Sequence, residues 1–247
     1  MKNEIRLPDD DGANGSGLEL PFPKYFALSV GFFLVTLASA TLLYPLSYYF
    51  MAKTRIENTR IDGRKLVFDG KISSAFLIYY TGLAAIAAIV AALNLVIGVL
   101  PLDLRTYALN YAVSGVTAAI AAFFIGTRLR KWEKKNTHYV GLMRGESGMK
   151  SNLVRCALKS AVLSLLGLIT VGIAYPLVYR VKQKYYTDAS TVDGERLVFN
   201  GNVLRVYGKW FSGLFVAVIT LGIALPLPLY YLQRWEAENT HIREEKG

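Results

Sequence analysis

The only two histidines of the chain, His138 and His241, stand in the same string: W-E-x-x-N-T-H occupies 132–138 and again 235–241. Two imidazoles related in this way could ligate a metal ion or relay protons, because histidine changes charge near neutral pH. A metal needs further ligands, and the strings supply only Glu133, Glu236 and Glu238. Neither H-E-x-x-H nor C-x-x-C spacing occurs. The single cysteine, Cys156, cannot form an internal disulfide or a thiolate cage. Architecture accounts for every member of the string. Trp132 and Trp235 suit the point where a helix leaves an apolar layer, with basic neighbours reaching toward phosphates. Asn136 and Asn239 suit the end of that helix, in the left-handed conformation. No phosphate-binding glycine loop, G-x-S-x-G elbow or paired carboxylates point to an enzyme, and no cofactor is expected.

The elements that must position these strings are apolar. Hydrophobic residues make up 53% of the 247, and mean hydropathy is +0.32. They lie in five blocks, at about 25–50, 75–100, 107–126, 156–179 and 210–232. Each reaches the roughly 20 residues that cross a hydrocarbon core of about 30 Å. The expected fold is therefore an all-α polytopic membrane protein of about five transmembrane helices. Residues 1–21, acidic and rich in Gly and Asp, read as a disordered tail. No Asp or Glu lies inside a block, so a carboxylate relay for proton coupling is missing.

The chain also matches itself. "YPLSYYFMAKTRIENTRIDGRKLVFDG" (44–70) aligns with "YPLVYRVKQKYYTDASTVDGERLVFNG" (175–201) at an offset of 131, whereas the W-E-x-x-N-T-H strings align at 103. The 28-residue difference reads as one extra span in the first copy. The expected organisation is two unequal tandem repeats, 22–143 and 150–247. Asp62-Gly63 and Asp193-Gly194, beside apolar L-V-F runs, predict short β-hairpins at the membrane surface. Tyr44-Pro45 and Tyr175-Pro176 fall near the ends of matching spans, where proline terminates or kinks a helix. These pairs, with Trp132, Asn136, His138, Trp235, Asn239 and His241, are the candidate binding or interface positions.

The "YP" span end, the basic-aromatic stretch, "NT", "DG" and "LVF-x-G" resemble the YjgN-like family, multi-pass bacterial inner-membrane proteins carrying a domain of unknown function. The resemblance implies that location and no particular activity.

Basic residues decide sidedness. Six lie in 51–74, eight in 126–155 and six in 180–209. With five crossings the first two loops are cytoplasmic and the third is outside, so the second copy is inverted, as in many transporters. Equal basic charge on the 51–74 and 180–209 loops suggests instead that they share a side, with the 156–179 block re-entrant or interfacial. The net charge of +10 fits anionic headgroups of the lipid bilayer at juxtamembrane loops and calls for no nucleic acid. Two functions follow as expectations: transporter-like handling of a small solute or lipid, or a membrane scaffold without transport. Opposed repeats around a wet cavity favour the first; same-side repeats around a closely packed centre favour the second.

Overall fold

Three of the five apolar blocks are broken in the middle by a tight turn. In the computed structural model, which describes residues 15–97, 104–142, 144–170 and 173–243, the breaks follow one plan. Ser39, Thr170 and Thr220 each precede a proline by six residues. Each hydroxyl accepts the amide hydrogen of the residue four positions on: Leu43 at 3.0 Å, Ala174 at 3.2 Å and Ala224 at 3.1 Å. It also donates to a carbonyl of the preceding turn. Left-handed residues complete two of the reversals, Ala40 and Thr41 in one, Leu221 and Gly222 in the other. Pro45, Pro176 and Pro226 then open the return helix, where a missing N–H costs nothing.

The chain runs β1 (Gly17–Leu18), α1 (Phe22–Ala38), α2 (Tyr44–Glu57), β2 (Thr59–Ile61), β3 (Arg64–Phe68), α3 (Ile72–Ile97), α4 (Leu104–Lys135) and β4 (Thr137–Tyr139). It continues with β5 (Gly148–Met149), α5 (Leu153–Ile169), α6 (Tyr175–Asp188), β6 (Ser190–Val192), β7 (Glu195–Phe199), α7 (Leu204–Ile219), α8 (Pro226–Glu238) and β8 (Thr240–Ile242). The second eight elements reproduce the order of the first eight. Each set closes its own four-stranded antiparallel sheet, β1-β2-β3-β4 and β5-β6-β7-β8. The expected hairpins are the central pairs of these sheets, with Asp62-Gly63 and Asp193-Gly194 at positive φ in both turn positions.

The expectation of an all-α chain with five crossings is overturned. Two four-stranded sheets are present, and among the described residues only two helices are long and apolar enough to cross a membrane: Ile72–Ile97 and Asn110–Lys135. Blocks 25–50, 156–179 and 210–232 are instead helical hairpins, because a proline and a hydroxyl together end one helix and start its return. The second half lacks no span. It carries the same eight elements with shorter α7 and α8, of 16 and 13 residues against 26 and 32 for α3 and α4. Of the expected 1–21 tail, residues 15–20 are ordered: Gly17 and Leu18 pair with β2, and Leu20 is buried. Residues 1–14, and the end of the 75–100 block, lie outside the described residues.

The depth of the first hairpin can be read directly. Tyr79 and Tyr80 of α3 donate their hydroxyls to the turn carbonyls of Thr41 (3.2 Å) and Leu42 (2.9 Å). Seventeen residues of α3 follow Tyr80, so the helix extends about 25 Å past that turn. Gly82 lets α3 approach α4, since a Cβ there would sit 2.4 Å from Ile125 Cγ1.

Both sheets stand at the same end of the helices and touch. Arg64 Nη1 reaches both Glu195 carboxylate oxygens at 2.8 Å. Ile61, Leu66, Phe68 and Tyr139 pack with Val192 and Leu197 of the second half. The inverted arrangement is therefore also corrected, because loops 51–74 and 180–209 share one end of the molecule.

Candidate functional site

The two Asp-Gly turns project across the boundary between the halves, and each meets the other half's histidine. His138 Nδ1 lies 2.6 Å from Asp193 Oδ1, while the amides of Tyr139 (2.7 Å) and Gly145 (3.1 Å) donate to the same carboxylate. His241 Nδ1 lies 2.7 Å from Asp62 Oδ1, and the Ile242 amide donates to Oδ2 at 2.7 Å. Ser147 and Ser16 complete the clusters by accepting the amides of Asp193 (2.8 Å) and Asp62 (2.9 Å). The result is a reciprocal pair of clamps. The first is sealed, with side chains 14% and 4% exposed; the second is open, at 40% and 37%.

Electrostatics follows from those contacts. Burial alone would raise the Asp193 carboxyl, but the bonds from His138, Tyr139 and Gly145 outweigh it and hold it below the usual value. Asp62 is lowered in the same way, by His241, Ile242 and Ser16 against desolvation. Tyr139 is raised, first by burial and then by the Glu195 carboxylate.

Ser, His and Asp together suggest nucleophilic catalysis, but the geometry is wrong for it. Ser147 Oγ and Asp193 Oδ1 face the same imidazole nitrogen, at 3.3 and 2.6 Å. A nucleophile needs the opposite ring nitrogen from the one its carboxylate holds. Among the described residues, no three His, Cys, Asp or Glu side chains gather closely enough to hold a metal ion.

Each residue of the W-E-x-x-N-T-H string has a definite task. Trp132 meets Phe68 edge-on at 5.3 Å and 87°, and Trp235 meets Phe199 at 5.1 Å and 87°. Gly70 and Gly201 make room: a Cβ would lie 2.7 Å from Trp132 and 2.6 Å from Trp235. Both tryptophans pack against their own half's sheet, Trp235 buried and Trp132 half-buried. Asn136 and Asn239 return their amide groups to the carbonyls of Trp132 (2.6 Å) and Trp235 (2.7 Å). Neither is left-handed, and Asn239 has φ −117°. The side-chain bond, not a backbone reversal, satisfies the helix end. Tyr44 lies tilted against Tyr79 (5.4 Å), Tyr175 stacks on Trp210 (4.9 Å), and Pro45 and Pro176 are fully buried.

Glu133 and Glu236 point toward the boundary between the halves. Tyr48 donates to Glu133 at 2.8 Å, and Arg55 is ion-paired with it. Tyr179 (2.5 Å) and Gln183 (2.8 Å) donate to Glu236. Between them lies a cavity of about 60 Å³, reached by Arg55, Lys134 and Gln233. It has room for only a few water molecules.

The sequence reading brought His138 and His241 forward but missed their partners. Asp62 and Asp193 were visible as matched turn residues, not as carboxylates. Ser16 and Ser147 carried a signal as well, an S-G pair repeated at the same offset of 131.

A family model described as a bacterial protein of unknown function (DUF898) matches residues 105–246, from α4 past β8. No curated protein and no solved structure matches the chain. More than half of its length lies within that match, and the chain belongs to the DUF898 family of bacterial proteins of unknown function, which is YjgN-like.

Proposed function

We propose that this chain is a structural protein of the bacterial inner membrane, built by tandem duplication, that crosses the bilayer twice, out along α3 and back along α4, and wedges three shallower hairpins into the cytoplasmic leaflet. Exposed apolar surface supports the membrane reading. Only 11% of the apolar window of α3 is buried, and Leu95, Tyr111, Leu221 and Ile223 are 69–94% exposed. A soluble protein would not leave such a surface to water.

Charge spacing supports the shallow placement. From Lys209 to the turn at Thr220, and from there to Arg234, each arm of the α7–α8 hairpin offers about 12–16 Å of uncharged helix. That is one leaflet of a core about 30 Å thick. Uncharged Thr106–Thr127 of α4 covers about 33 Å, the whole core. With both sheets at one end, all three basic loops take the cytoplasmic side together, as the positive-inside rule asks.

The observation that carries the reading is the pair of bonds from Tyr79 and Tyr80 to the turn at Thr41 and Leu42. They hold the first hairpin a third of the way along α3. Of the helices among the described residues, eight then occupy the cytoplasmic leaflet and two of them, α3 and α4, continue into the other, and that asymmetry favours curvature. The same-side halves and the small central cavity favour this scaffold reading over transporter-like handling of a solute.

The test is reconstitution into large vesicles at rising protein density, imaged by electron cryomicroscopy. The expected result is a density-dependent fall in vesicle radius or outgrowth of tubules. Unchanged vesicle shape, or protein extracted from the membrane by alkaline carbonate, overturns the reading.

A further inference from the structure

The two halves also differ where α1–α2 and α5–α6 can be compared residue for residue. On the second pair a groove of about 1100 Å³ opens, lined by Lys150, Lys159, Arg180, Lys182 and Lys184 against one carboxylate, Asp188. None of the five cations is in an ion pair among the described residues. Lys182 donates to Ser164 Oγ at 2.6 Å, Lys159 sits 4.1 Å from the centroid of the Tyr185 ring, and Arg180 donates to the Gly201 carbonyl. Asp188 accepts the Phe199 amide.

The groove is apolar on its outer side, where Leu158, Val162 and Val181 are 46–60% exposed. At the offset of 131, Lys150, Lys159, Arg180 and Lys182 correspond to Glu19, Leu28, Tyr49 and Met51. Phe32 and Phe50, at the positions matching Leu163 and Val181, stack at 6.0 Å and 10° across the first pair. One half closes this face with rings, and the other opens it and lines it with positive charge.

We infer that the α5–α6 groove binds an anionic phospholipid, its headgroup among Lys159, Lys182 and Arg180 and its acyl chains along Leu158, Val162 and Val181. Charge complementarity selects the headgroup, and the exposed apolar rim selects a lipid over a free anion or an acidic peptide. Each juxtamembrane cation favours an anionic headgroup roughly fivefold, so several converging on one pocket distinguish a bound lipid from the general leaflet. The inference rests on the membrane reading and deepens it.

Native mass spectrometry of the full chain, released from vesicles of equal phosphatidylglycerol and phosphatidylcholine, tests it. The expected result is one retained phosphatidylglycerol per chain. The double variant Lys159→Leu/Lys182→Met, carrying the first half's residues, should lower that retention about tenfold or more. Its melting temperature checks the fold, and the charge-neutral pair Lys159→Gln/Lys182→Gln serves should the first variant misfold. Lys53→Met in the first half should leave retention unchanged. Equal retention of both lipids, retention undiminished in a folded double variant, or displacement of the lipid by millimolar inorganic phosphate overturns the inference. Failure of the membrane reading shows separately, as protein released by alkaline carbonate.

Discussion

The α3–α4 and α7–α8 hairpins rise from nearly identical bases and end at very different heights. At the base, Gly70, Phe68 and Trp132 in one, and Gly201, Phe199 and Trp235 in the other, interlock with ring centroids 5.3 and 5.1 Å apart and the same interplanar angle. Above it, one pair runs 26 and 32 residues and the other 16 and 13. The repeated motif specifies how a hairpin is seated on its sheet, and nothing in it specifies length. The two halves therefore keep one base while the helices above it change length, which in the proposed placement leaves the platform in the cytoplasm and alters only the reach into the bilayer.

The largest expected effect tests whether the bases carry the stability. Trp235→Ala should destabilise the chain by about 3–5 kcal/mol, since Trp235 is 5% exposed and fills the space beside Gly201. Trp132, only half-buried, should cost less when truncated. Denaturant unfolding in detergent, followed by fluorescence of the remaining tryptophans, gives both values. Equal small losses would mean the interlocked bases are incidental.

A second contrast lies at the centre. Glu133→Gln leaves Arg55 without its carboxylate and should cost about 3 kcal/mol. Glu236→Gln weakens the bonds from Tyr179 and Gln183 and only a longer-range attraction to Arg55 and Lys134, and should cost less, about 1–2 kcal/mol. The same unfolding measurement ranks them, and the reverse order would contradict the assigned network.

The clamps separate by pH. Asp193 and Asp62 have native pKa values lowered from 3.8. A lowered native value stabilises the fold above the unfolded pKa and loses that contribution as pH falls through the native value. Stability should therefore hold, as far as these groups decide it, from neutral pH down to the ordinary aspartate range, then drop below it. Asp193→Asn should remove more of this acid-dependent step than Asp62→Asn, because its clamp is sealed and the other is open to solvent. Acid titrations of the melting temperature compare the two.

The smallest effects lie at the turns. Thr170→Val and Thr220→Val should each cost about 1 kcal/mol, the worth of the lost bond to Ala174 or Ala224. Thermal unfolding measures each loss, and a cost near zero would mean that proline alone makes the turn.

These contrasts mark what the sequence discloses. The duplicated loops, the Asp-Gly turns and the string holding His138 and His241 were all legible, because local chemistry produces them. The broken blocks were legible only in part: the prolines and the loop charge allowed a re-entrant 156–179 block, but an apolar window scores Ser39, Thr170 and Thr220 as ordinary helix residues. Their role depends on a hydroxyl replacing a carbonyl just before a proline. The clamps were illegible for another reason: His138 and Asp193 are 55 residues apart and belong to different halves, and only the packing of one sheet against the other brings them together. The four missing strands escaped notice because β1, β4, β5 and β8 are two or three residues long, too short for any alternation of apolar and polar residues.

The central claim is that both sheets lie on one side of the membrane and the short hairpins do not cross it. Single cysteines at Lys65, Arg196 and Leu221, each on a Cys156→Ser background and each at an exposed position, test it with a membrane-impermeant maleimide in oriented vesicles. The account predicts that Lys65→Cys and Arg196→Cys label only from the cytoplasmic face and that Leu221→Cys labels from neither. Labelling of the two sheet positions from opposite faces, or of Leu221→Cys from the periplasmic face, would contradict it.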